Sequence, residues 1–426
     1  MTAIRDSQTS VGFNLFEQSL TKPTAKEKGL LLVFPEWDKD IIYVARYVDE
    51  IIISLAKKHN LWNPEGETTG GQDIDPDQLI PHILKVKGPN VVGVIGGIIQ
   101  GNLAGREEVA ILAGLLTRFV WDVPDAGDFV NIRRQADTKI LFSIPKSVFT
   151  GEQLGNQNLT ESKYQPLVGF LNDLKLVTRA YVDKVFGTVT ENGGIESAKT
   201  LIGRMIGEYG DSVEIMHVQN PNIRDYLKQL YLDKAIREGR EVLPWLRNPE
   251  LWYLSQVNTL GILGVVNEVS CTPGISIDEI KVLGEFYDQV SSFVLVVLDD
   301  INDVEEDAFY GDPNFFHDLL SGKHLEQVTI MEQMYGNIYE YQGYQENNEL
   351  AAKYFFALLG RAYLEKERSL LASLGKERAY KHQKMFRDMV KFYTLQLMMK
   401  GKTDDSFELE CMNIFTFEVG DIVISP

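Results

Sequence analysis

Asp299, Asp300, Asp303 and Asp307 stand together in FVLVVLDDINDVEED, residues 293–307. A helix turns 100° per residue, so Asp299, Asp303 and Asp307 share one stripe, with Asp300 beside it. Like charges four residues apart repel one another. Three carboxylates in one stripe, directly after Val294, Leu295, Val296, Val297 and Leu298, therefore imply a compensating cation. Oxygen ligands without His or Cys suit Mg²⁺, which keeps one or two carboxylates and fills its remaining positions with water and substrate phosphate. The competing reading is a solvated acidic helix end; the apolar run ahead of the acids argues against it.

A second cluster, WDVPDAGDFVNIRR, spans residues 121–134. Asp122, Asp125 and Asp128 follow one another at intervals of one turn and close an apolar stretch that contains Val109, Leu112, Leu115, Leu116 and Phe119. Arg133 and Arg134 come next. Carboxylates that hold Mg²⁺, followed by guanidinium forks for phosphate oxygens, fit a metal–diphosphate complex. Local Asp–Arg ion pairs at a helix end are the alternative. Facing helices of a bundle commonly build metal sites between them. Three Mg²⁺ ions clamped between two such helices would grip a diphosphate and, as Lewis acids, promote its departure from an allylic substrate.

These residues need helices to carry them, and the pattern supplies helices. Apolar residues recur at i, i+3, i+4 over 38–59, 105–119, 165–186, 197–208, 224–240, 248–269, 276–300 and 348–399. Strand signals are confined to Gly29–Phe34 and the tail Asn413–Ser425. The expected fold is all-α. Residues 1–77 read as an N-terminal extension with one helix and a Gly/Pro/acid-rich linker, 78–400 as a large helical bundle, and 401–426 as a C-terminal tail.

The 426 residues carry a net charge of −19 and 44% hydrophobic residues. That charge opposes nucleic acid and anionic membrane surfaces as partners. The longest apolar run, Val91–Gln100, is too short to span a bilayer, so no stable membrane insertion is expected. The opening MTAIRDSQTS lacks a secretory apolar core, and Cys271 and Cys411 form no disulfide framework, which together suggest a cytoplasmic protein.

With the acid clusters in place, the chain from about residue 80 to 325 resembles the trans-type polyprenyl diphosphate synthases and the wider class I isoprenoid (terpene) synthase family. Asp125, Asp128, Arg133 and Arg134 match the end of that family's first aspartate-rich motif. Gly207, Glu208, Tyr209, Gly210 and Asp211 resemble its Gly-Gln-x-x-Asp element, with Glu208 and Asp211 in supporting roles. Asp299, Asp300 and Asp303 match the second aspartate-rich motif, and Asp318 and Lys323 in DLLSGK resemble the segment that follows it. The resemblance implies an isoprenoid-synthase helical bundle, Mg²⁺ as cofactor, a prenyl diphosphate substrate and a homodimer. Catalysis would rest on Asp125, Asp128, Asp299 and Asp303. Metal binding would extend to Asp122, Asp300 and Asp307, and diphosphate binding to Arg133, Arg134 and Lys323.

The departures from the family pattern are informative. Val123 and Pro124 stand where the first motif should open with two aspartates, and proline disfavours an uninterrupted helix there. Only Lys87 remains of the basic segment that implies isopentenyl diphosphate binding, and Asn258-Thr259 replaces a Lys-Thr dipeptide. Extra residues lie between Asp211 and Asn258. A retained allylic site beside a dismantled second site resembles a terpene synthase that ionises one linear prenyl diphosphate. The alternatives are prenyl transfer, by chain elongation or to another acceptor, and a non-catalytic subunit of a prenyl synthase. His317 and His324 lack metal-ligand spacing, and the tyrosines of Tyr335–Tyr344 read as core or as lining for a cation pocket.

Overall fold

The computed structural model describes residues 39–63, 76–87, 107–124, 139–151, 165–187, 193–216, 218, 220–257, 260–271, 274–310, 314–374, 386, 390–391, 393–398, 400–403 and 405–419. Every regular element among them is helical, as expected. In chain order these are α1 Lys39–Lys58, α2 Leu79–Lys87, α3 Glu107–Leu116, α4 Lys139–Thr150, α5 Gln165–Gly187, α6 Gly194–Met216, α7 Pro221–Arg237, α8 Pro249–Gln256 and α9 Leu260–Cys271. They continue with α10 Ile277–Glu285, α11 Ser292–Tyr310, α12 Phe315–Leu320, α13 Leu325–Tyr335, α14 Asn348–Leu374 and α15 Phe407–Val419. Among the described residues, no helix is long and apolar enough to cross a membrane.

Local chemistry sets where these helices start. Asn220 and Asn248 each accept two first-turn N–H bonds and each precedes a proline, which opens α7 and α8. Ser276 and Glu279 form a reciprocal capping box on α10. Two wide π turns interrupt the regular pitch: Thr117–Asp122 prolongs α3, and Phe286–Ser291 joins α10 to α11. Such turns add one residue to a helical turn and are enriched near functional sites.

α9 lies at the centre, against α3, α6, α11 and the second π turn. Close approach is possible there because Gly264 leaves room for the Tyr287 ring. The first half of α11, Phe293–Leu298, is buried all round, and its acids begin where the helix leaves the core.

Residues Asp40–Pro426 form one compact unit, and the boundaries expected at 77/78 and 400/401 fall inside it. α1 is tied to the body by Asp49–Arg118 and by Lys58 and His59, which both reach Asp173. The strand expected at the C-terminus is helix over 407–419. Leu409, Met412, Phe415 and Val419 recur every three or four residues and are buried, and α15 packs along α14. The span 248–269 is two helices, α8 and α9, and the helix expected over 348–399 runs as α14 only to Leu374, with 393–398 helical again. Gly29–Phe34 lies outside the described residues.

Candidate functional site

The structure gives the four acids of α11 different surroundings. Asp300 accepts the Phe315 N–H at 2.7 Å, and its own carbonyl accepts from Asn314 Nδ2 at 2.7 Å, so it fastens the start of α12 to α11. Burial pushes its carboxyl well above the ordinary carboxylate range; the Phe315 N–H opposes this, and Asp299, Asp307 and Asp303 add to it by repulsion. Asp300 is thus a positioning group. Asp307 accepts from Asn314 Nδ2 at 2.7 Å. Asp303 is held by Lys400 Nζ at 2.6 Å, and the same ammonium donates to the Asn302 carbonyl at 2.7 Å. Asp299 and Asp303 both act on Tyr393, whose hydroxyl burial and these two carboxylates push upward. Sequence reading missed Lys400, Tyr393 and Asn314. Lys400 and Tyr393 come from distant chain, and no local spacing announces them.

At the other cluster, Asp122 sits on the π turn and is buried. Arg118 Nη1 donates to it at 2.7 Å, while the same guanidinium reaches Asp49 of α1 at 2.9 Å. Asp122 therefore serves a buried acid–Arg–acid triad joining α1 to α3. Pro124 is helical and buried rather than the site of a break. Asp125, Asp128, Arg133 and Arg134 lie outside the described residues.

Glu208 and Asp211 also have protein partners. Asp211 is bridged by Lys234 at 3.3 Å. Glu208 and Asp288, the latter from the second π turn, form a buried four-charge cluster with Arg204 and Arg240. Arg240 Nη1 lies 2.6 Å from Glu208 Oε1, its other nitrogen bonds Asp288, and its plane covers the Trp252 ring at 4.5 Å. Gln289 holds the approaching loop by accepting the Leu243 N–H at 3.1 Å and donating to the Glu241 carbonyl at 2.6 Å. Burial, then the Asp288 charge, push the Glu208 carboxyl up to about 7; Arg240, Arg204 and Lys234 oppose the shift.

Lys323 donates to Asp318 at 2.7 Å, and both line a cavity with Asp307. Asp299 and Asp303 are not among the walls of that cavity. Lys323 therefore shares a site with Asp307 and not with the Asp299/Asp303 pair. The tyrosines of 335–344 are mainly packing: Tyr341 stacks on Tyr354 at 5.1 Å, Tyr344 meets Tyr354 edge-on, and Tyr335 accepts from Trp245 Nε1 at 3.0 Å.

Whether these residues suit Mg²⁺ turns on the donor set. Among the described residues no three Asp, Glu, His or Cys side chains gather as a ready-made metal cage. Mg²⁺ needs only one or two carboxylates when phosphate completes its shell. Asp299 and Asp303, one turn apart at the edge of the core, meet that requirement for one ion. The further ions expected from the sequence depend on Asp125 and Asp128. No family model and no curated protein matches the chain.

Proposed function

We propose that the chain is a Mg²⁺-dependent class I terpene synthase that ionises a linear allylic prenyl diphosphate, acting in the cytosol as a homodimer. The supporting observation is the Asp299/Asp303 pair, one turn apart on α11 where the helix passes from fully buried to half-buried. Asp299 and Asp303 would hold the metal, and Asp300, through its bond to Phe315, fixes the rotation of α11 against α12. The Lys400 ammonium occupies Asp303 and would have to yield to the ion. Arg133 and Arg134 would take diphosphate oxygens. Bound Mg²⁺ would neutralise charge on the departing diphosphate.

A second reading, a non-catalytic subunit that binds and tunes a prenyl synthase, is favoured by one observation: Asp122 and Asp303 are both already neutralised by basic side chains. Product analysis separates the readings. The purified chain would be incubated with Mg²⁺ and C10, C15, C20 or C25 prenyl diphosphates, with and without isopentenyl diphosphate, and the products identified by mass spectrometry. A hydrocarbon or alcohol formed without isopentenyl diphosphate is the expected result. Longer diphosphates formed only with it would establish prenyl transfer instead. No turnover under any condition would leave the subunit reading.

A further inference from the structure

A cavity of about 690 Å³ opens where four helices begin. Pro221 of α7, the α8 cap Asn248, the α12 cap Asn314 and the α13 cap His324 all line it. α7 belongs to the extra chain between Asp211 and Asn258, so this cavity is partly built by residues outside the family pattern.

Most charges on its walls are matched within the protein. Glu250 is bonded by Lys228, Asp318 by Lys323, and Asp307 by Asn314. Two side chains are not. Arg224 makes no side-chain hydrogen bond or ion pair, and its Nε is shut away from solvent with no acceptor. His324 stacks on Phe315 at 5.1 Å, and its Nε2 is likewise enclosed with no partner. An unmatched buried donor costs about 1–3 kcal/mol, and more for a charged group. Other arginines of this fold end on acceptors: Arg118 on Asp49 and Asp122, Arg204 and Arg240 on Glu208 and Asp288, and Arg361 on Glu418. Arg224 is held ready without one.

His324 also adopts a left-handed backbone conformation, φ 66°, which is uncommon for a side chain with a Cβ. It begins α13 without giving that helix a side-chain cap, whereas α7, α8 and α12 are each capped by an asparagine. The first-turn N–H groups of α13 thus add a positive end to the same wall. Donors that converge from α7 and α13 suit an anion with several oxygens in three dimensions better than a planar carboxylate.

We propose that this cavity binds a small phosphate-bearing anion, held by the Arg224 guanidinium, His324 and the start of α13. The site needs no divalent metal and is separate from the Asp299/Asp303 pair, so it does not depend on the activity proposed above. The test is calorimetric titration of the full chain with inorganic phosphate and with diphosphate, both in EDTA. The expected result is saturable one-site binding that weakens at least tenfold in Arg224→Gln and in His324→Asn and persists in Asp299→Ala. Asparagine tolerates the left-handed backbone, and circular dichroism checks both variants; should Arg224→Gln fail to fold, His324→Asn decides alone. Four results overturn the proposal: no saturable binding by the wild type, wild-type affinity in the folded variants, loss of binding in Asp299→Ala, or acetate binding as tightly as phosphate. Because EDTA removes Mg²⁺, a negative result here leaves metal-dependent turnover untouched, and absent turnover leaves this titration interpretable.

Discussion

Replacing Arg240 by methionine tests how the buried charge cluster supports the fold. Glu208 and Asp288 are 6% exposed in their side chains, Arg240 12% and Arg204 33%, and the four formal charges cancel. Methionine keeps much of the volume but leaves two buried carboxylates facing Arg204 alone. Breaking a buried pair from one side costs about 3–5 kcal/mol, because the remaining charge stays desolvated. Loss of the guanidinium over Trp252 removes part of the same sum and is not added again. Glu208 offers a route of relief, since its carboxyl already titrates near 7. Taking up a proton restores neutrality, so the penalty should be near its full size at pH 8 and clearly smaller at pH 5.5. Urea unfolding followed by circular dichroism at both pH values measures this; urea does not screen charge as guanidinium would. The double variant Glu208→Gln/Arg240→Met should be more stable at pH 8 than the sum of the single changes, by roughly 1–3 kcal/mol of coupling. A loss below about 1 kcal/mol at pH 8, or strict additivity, would refute the reasoning.

Asp299→Ala should abolish metal-dependent turnover while leaving the helical circular dichroism spectrum and unfolding midpoint near those of the wild type; full activity would remove the pair from the proposed site. Glu208→Gln should flatten the pH dependence of stability. The folded carboxyl binds its proton more tightly than the unfolded one, so its contribution is present below the ordinary value of 4.5 and is lost as pH rises through about 7. Urea midpoints for wild type and variant from pH 4.5 to 8 should therefore show the steeper decline in the wild type; parallel curves would contradict this. Gly264→Ala would bring a methyl within 2.6 Å of Tyr287 Cδ1, inside a fully buried contact. Overpacking of this kind costs about 1–3 kcal/mol, read as a lower unfolding midpoint; an unchanged midpoint would mean that the ring moves aside easily.

The all-helical class was legible because apolar spacing of three and four residues persists along most of the chain, and burying that stripe requires helix-on-helix packing. Helix starts were legible too in principle: Asn-Pro before α7 and α8 and Ser-x-x-Glu before α10 encode their caps within four residues. The C-terminal helix was misread as strand because isolated β-branched and aromatic residues were weighed above the repeat Leu409, Met412, Phe415, Val419, which matters only once α14 is there to cover it. The acid stripe of α11 follows from helix geometry, and the sequence by itself determined that Asp299 and Asp303 project together. Only the tertiary structure decided what each acid meets: Arg118 for Asp122, Lys400 for Asp303, the Phe315 N–H for Asp300, and Arg240 for Glu208. Those partners lie up to 97 residues away in the chain. Periodicity states which face of its own helix a residue occupies, whereas the charge standing opposite depends on how distant helices pack, and burial then determines how strongly that charge is felt.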